Sequence, residues 1–174
     1  MGIQFETDYN METLTAMAKS LRKTVRKKRS RRVHIFAAVV LILGLLTILA
    51  TTAGGEPLGA SGVVTLLAVL VVILVSLFED KLNAWFARKR LLPGTEHAVA
   101  TFEEDGYVSA TGVTESRFSY AQIVAVAETA RYFVFALSSH HTQAYDKRTI
   151  RGGSVEDFRA FIAEKTGKPV ANIK

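Results

Sequence analysis

The sequence predicts an α+β membrane protein in which a two-helix transmembrane hairpin precedes an antiparallel β domain closed by one α-helix. Three observations predict it. Two long apolar runs, 33–53 and 62–78, contain no Asp, Glu, Lys or Arg. A basic block stands directly before the first run. After Pro93-Gly94 the pattern changes to short alternating segments separated by turn residues.

The first run has 21 residues, from Val33 to Ala53. At about 1.5 Å per residue it covers roughly 30 Å, the thickness of a bilayer core. The second, Gly62 to Phe78, has 17 residues and sits at the short limit for a span. A soluble core helix seldom lacks every charge over such lengths. The first run is also longer than a typical signal-peptide core and begins well inside the chain, so it reads as an uncleaved span.

Charge gives the hairpin a direction. Residues 19–32 hold nine of the 22 Lys+Arg and no acid, which leaves 13 basic against 16 acidic residues elsewhere. The net charge of +6 is therefore one block. Because the block abuts an apolar span, its expected partner is anionic lipid headgroups rather than nucleic acid. Arg22, Lys23, Arg26, Lys27, Lys28, Arg29, Arg31, Arg32, Trp85 and Arg88 are the expected membrane-surface contacts. The connecting GGEPLGAS has no Lys or Arg, so the positive-inside rule places both termini in the cytoplasm of a multi-pass plasma-membrane protein.

Within the spans, Gly44, Thr47 and Thr51 form one small-residue stripe, and Gly62, Thr65, Ala68 and Ser76 form another. Such stripes allow close approach in lipid; they are expected to face each other, the alternative being that they pack against another protein. The absence of internal charge argues against an ion or proton path.

The flanking segments are expected to be helical. Before the hairpin, residues 1–32 predict a short strand with Ile3 and Phe5 alternating, then a helix capped by Asn10. Met11, Leu14, Met17, Ala18, Leu21 and Val25 recur along that helix, which is expected to run unbroken into the first span. After the hairpin, residues 79–93 predict a helical extension with Leu82, Trp85 and Phe86 on one face, covered by the N-terminal helix.

Residues 94–174 predict the β domain. Strands are expected at 99–102, 107–111, 113–119, 123–128, 132–137 and 141–145, with a hairpin turn at Glu104-Asp105-Gly106. A final helix opens at a capping box, Ser154 with Asp157, and stops at Gly167 and Pro169. Val155, Phe158, Phe161 and Ile162 give it one apolar face. A twisted antiparallel meander plugged by a C-terminal helix is the plan of a pleckstrin-homology-like (PH-like) barrel.

Residues that carry chemistry are few. His140-His141 are adjacent and so point to opposite faces of a strand, which disfavours a shared metal. Glu103-Glu104-Asp105 coincides with the hairpin tip. Ser138-Ser139-His140 lacks a nucleophile elbow, and no phosphate-binding glycine motif occurs. With no cysteine, thiol chemistry is excluded. No catalytic, metal or cofactor residue is expected, and the chain reads as a non-enzymatic interaction or scaffold module. The alternatives are a small immunity or stress-protection protein and a membrane enzyme with an unrecognised site.

The run Tyr120-Ala121-Gln122-Ile123, Val126, Glu128-Thr129 and Tyr132-Phe133, followed by Phe158-Arg159, resembles the YcxB-like membrane proteins. The layout of strand, basic helix, two-span hairpin and C-terminal domain is similar as well. The family's Pro-Lys step before the last helix is replaced by Asp146-Lys147-Arg148. The resemblance implies a PH-like cytoplasmic domain on a membrane hairpin and brings no catalytic residues with it. A protein partner or self-association is the expected mode of action.

Overall fold

A computed structural model describes residues 2–54 and 59–173, so half of the expected external loop lies outside the described residues. In chain order the elements are β1 (Ile3–Asp8), α1 (Met11–Lys23), α2 (Lys27–Ala53), α3 (Ala60–Leu77), α4 (Glu79–Lys89), β2 (His97–Phe102), β3 (Tyr107–Thr111), β4 (Glu115–Phe118), β5 (Ala125–Glu128), β6 (Tyr132–Ala136), β7 (Thr142–Asp146), α5 (Val155–Thr166) and β8 (Val170–Asn172). The chain divides into two units. One joins residues 1–27 to 83–174, and the other is 28–82.

The first unit holds two four-stranded sheets, ordered β1-β2-β3-β4 and β7-β6-β5-β8. β1 pairs antiparallel with β2, with Phe5 opposite Ala100. Ile3 and Phe5 therefore lie in the same sheet as strands from the far side of the hairpin. Ile3, Phe5 and Thr7 point inward, which is the period of two expected of a half-buried strand.

The strands do not close into a barrel. At the β1–β7 corner, side chains stand in for a ladder. The Thr7 hydroxyl accepts from the Asp146 N–H at 3.0 Å, and the Thr149 hydroxyl accepts from the Glu6 N–H at 3.0 Å and donates to the Glu6 carbonyl at 2.7 Å. A single bridge links Gln4 to Arg151. Nor is the second sheet wholly antiparallel. β8, a strand the sequence pattern hides behind Pro169, runs parallel to β5.

Aromatic rings fill the space between the sheets. Phe5, Phe102, Phe133, Phe135 and Phe158 are fully buried. Phe158, on α5, lies 4.7 Å from Phe5, 4.8 Å from Phe102 and 5.0 Å from Phe133, ring centre to ring centre. α5 thus plugs one end of the sandwich. Its Ser154/Asp157 capping box forms as expected, and Gly167 ends it in the left-handed conformation at φ 62°.

α1 covers the outer face of the second sheet, where Ala16 and Met17 pack on Tyr132, Val134 and Ala144. The Thr13 hydroxyl reaches the Tyr132 hydroxyl at 3.1 Å. α1 thereby spends much of its apolar stripe on the sheet. α4 buries only Ala84, and Leu82, Trp85 and Phe86 stay exposed.

The expected unbroken helix from α1 into α2 is not formed, because residues 24–26 interrupt it. The chain leaves the helical conformation at Thr24, with φ −107° and ψ −91°, and the Arg26 N–H then bonds the Leu21 carbonyl, five residues back, at 2.9 Å.

In the second unit, α2 and α3 are long and apolar enough to cross a membrane, and none of their residues is buried. Gly44 faces Thr65 and Val69, where a Cβ would lie 2.7 Å from Val69 Cγ2. At that point the two small-residue stripes meet. Thr47, Thr51 and Thr65 each donate to a carbonyl one turn earlier, at 2.9 Å, so no hydroxyl of the three lacks a partner.

Candidate functional site

The end of the sandwich opposite α5 is open. The inward positions that carry aromatic rings near α5 carry small polar residues here. Ser109 and Thr111 on β3, Thr114 and Ser116 at β4, and Gln143 on β7 line a groove of about 520 Å³. Tyr9, Leu14, Met17, Arg90, His140 and His141 complete its rim. The Thr111 and Thr114 hydroxyls lie 3.1 Å apart and fix the β3–β4 turn.

Beneath the groove, Gln143 Oε1 accepts from the Tyr107 hydroxyl at 2.8 Å and from the Tyr145 hydroxyl at 2.7 Å. Burial pushes both phenols well above their ordinary range. Burial likewise pushes the Tyr9 hydroxyl from 10.0 up to about 12, partly offset by a hydrogen bond with the Ala144 backbone. Tyr120 and Tyr132 shift in the same direction, again chiefly by burial.

All five tyrosines are therefore held neutral by the fold. A raised phenol pKa contributes stability that is complete below the unfolded value of 10.0 and is lost as pH rises through the folded value. Tyrosinate absorbance of the native protein should consequently develop at higher pH than that of the unfolded chain, alongside the loss of near-ultraviolet circular dichroism. Coincident native and unfolded titrations would contradict the burial described above.

On the second sheet, Glu128 is the centre of a charge cluster. Its carboxylate accepts from Arg159 Nε at 2.6 Å, Arg159 Nη2 at 2.8 Å and Lys147 Nζ at 2.9 Å. The bidentate bond to Arg159 holds its pKa below the ordinary 4.5 against the opposing effect of burial, and Lys147 lowers it further. Asp146 takes Arg131 Nε at 2.9 Å and Arg148 Nη2 at 2.9 Å. These ion pairs knit β5, β7 and α5 together and leave no acid aimed at the groove.

Of the basic residues expected at a membrane surface, Lys27, Lys28, Arg29, Arg31 and Arg32 are exposed on the first two turns of α2. Arg22 and Lys23 belong to the last turn of α1. Arg26 is engaged elsewhere, donating from Nε to the Ser139 carbonyl at 2.6 Å. Trp85 and Arg88 are exposed on α4, and Lys89 Nζ sits 3.7 Å over the Trp85 ring. His140 and His141 lie exposed in the β6–β7 turn, just before the strand expected to include His141. Among the described residues, no group of three or more His, Cys, Asp or Glu is placed to hold a metal.

Tyr120 and Ile123 are buried between the sheets, and the Tyr120 hydroxyl donates to the Glu103 and Gly106 carbonyls at 2.6 and 3.0 Å, tying down the β2–β3 turn. Thr129 closes the β5–β6 turn through Tyr132 at 2.9 Å. Residues 102–162 match the family model of the YcxB-like proteins. No curated protein and no solved structure matches the chain.

The matched segment begins at the last residue of β2 and ends within α5, so β1 and nearly all of β2 lie outside it. Its signature is explained by structure. Glu128 and Arg159 are the ion pair just described, Tyr120 and Thr129 fasten turns, and Ile123, Val126, Phe133 and Phe158 are core. After β7 the Asp146 carboxylate accepts from the Arg148 N–H at 3.0 Å and makes the turn without proline.

The groove residues were not singled out from sequence. A signal was available, since Tyr107-Ser109-Thr111 alternates on one face and changes from aromatic to hydroxyl along the strand.

Proposed function

We propose that the chain is a membrane-anchored, non-catalytic interaction module. The hairpin α2–α3 inserts in the bilayer, and the PH-like sheet domain is presented on the cytoplasmic side. The observation that carries this reading is the uncovered apolar surface of both helices, with Phe36 70%, Leu49 61% and Leu77 73% exposed. Water does not tolerate two such helices in a soluble protein, whereas lipid does.

Sheet topology supports the hairpin arrangement. β1 and β2 are adjacent strands, so the segment between them must leave and return on one side of any membrane it crosses. The number of crossings is then even, in agreement with two spans. The exposed Lys28, Arg29, Arg31 and Arg32 would meet anionic headgroups, each contributing about 1 kcal/mol at best.

The cysteine-free chain makes the test direct. In intact cells a membrane-impermeant maleimide should label E56C, and it should label D105C only after lysis. The protein should stay in the membrane pellet through a high-salt wash. Release by salt would overturn the anchor, and the reverse labelling pattern would overturn the orientation.

A further inference from the structure

The two sheets end on β1, β4, β7 and β8; β1 and β7 are tied to each other's corner through the Thr7 and Thr149 hydroxyls, which leaves the edges of β4 and β8. β8 is a poor template, with three residues preceded by Pro169, which has no N–H to donate. β4 is different. The phase of its ladder is set by the Thr111 N–H donating to the Thr114 carbonyl at 2.7 Å. Counting along the register, Ser116 and Phe118 also exchange hydrogen bonds with β3, opposite Ser109 and Tyr107. Glu115 and Arg117 occupy the alternate pairs, so their N–H and C=O groups point away from β3 toward the open edge. Both side chains are exposed.

We propose that β4 is a self-pairing edge, and that its partner is β4 of a second copy of this chain, antiparallel, with Ser116 on the two-fold axis. That register sets Glu115 opposite Arg117 of the other copy, and Arg117 opposite Glu115. Each becomes a hydrogen-bonded pair, so every outward backbone group of the two residues is used. The same register makes two cross-strand ion pairs of opposite charge, the favourable kind. An edge strand bearing like charges would repel its own copy, and many edges are protected in that way. Here the charges are self-complementary, and the pairing is isologous, as a two-fold interface requires.

The inference deepens the interaction-module reading and rests on it, because confinement in a bilayer raises the effective concentration enough for a short interface. Ser116 would form a non-hydrogen-bonded pair with its own copy, where Cα atoms approach to about 4.5 Å, within disulfide range.

The test uses the full chain in native membranes. S116C should form a disulfide-linked dimer on mild oxidation, while D105C, an exposed turn position, should not. Adding E115R or R117E to S116C should each lower dimer yield about tenfold, since two attractive pairs become repulsive. Co-expressing the two variants with different tags should restore a mixed dimer, because each then meets the opposite charge.

Dimer yield no greater than that of D105C, or indifference to charge reversal, would overturn self-pairing. If a general amine cross-linker then joined the chain to a different protein, self-pairing alone would fall. If it gave no adduct at all, the interaction-module reading would fall with it.

Discussion

A fragment running from Glu96 to Lys174 should not fold. It contains the whole YcxB-like segment but lacks β1, whose Ile3 and Phe5 are 3% and 0% exposed in the core. Without β1, the Phe102, Phe133, Tyr145 and Phe158 rings lose the aromatic partner they share. The outer hydrogen-bonding edge of β2 is also left unpaired. Circular dichroism and proton-shift dispersion should report a disordered or molten chain. Joining residues 1–27 to 83–174 through a flexible linker in place of the hairpin should restore a cooperative fold. In that linked domain F5A should cost about 3–5 kcal/mol, a large share of the stability of a typical domain. A folded, cooperatively melting 96–174 fragment would contradict this account of the core.

The second large effect is expected at Glu128. E128A leaves Lys147 and Arg159 facing each other without their common carboxylate. Breaking a fully buried pair costs about 3–5 kcal/mol; solvent reaches Arg159, so about 2 kcal/mol is expected here. The sign of the pH effect follows from the depressed pKa. The wild-type contribution is complete above the ordinary 4.5 and is lost as pH falls through the lower folded value. E128Q should therefore melt at a lower temperature than wild type at neutral pH, and the gap should narrow as pH falls below 4.5. Denaturant melts at several pH values would measure both, and a constant gap would refute the assignment.

Legibility in the sequence followed the range of the interactions. The two long apolar helices, the Asn10 and Ser154 caps, the Glu104-Asp105-Gly106 turn and most strands depend on neighbours within a few positions, and all were readable. The α1–α2 break was not, because no Gly or Pro marks Thr24 as the residue that leaves the helical conformation. β8 was hidden because a three-residue strand after Pro169 exists only through its parallel neighbour β5. The open barrel turns on the Thr7 and Thr149 hydroxyls, which bond residues 139 and 143 positions away. The groove escaped notice for a related reason. Ser109, Thr111, Thr114 and Ser116 look like ordinary strand and turn residues until the sheets place them at the end that α5 does not fill.

The position of β1 also sets an order of events during synthesis. Its residues leave the ribosome before those of its sheet neighbour β2, which follows only after both apolar helices have been made. Ile3 and Phe5 must therefore wait, uncovered, until β2 emerges. Contacts of such long sequence separation also slow the search for the native state. Assembly of the sheet domain is thus a late step, and a chain stalled before β2 is made would present an unpaired apolar strand to chaperones and proteases.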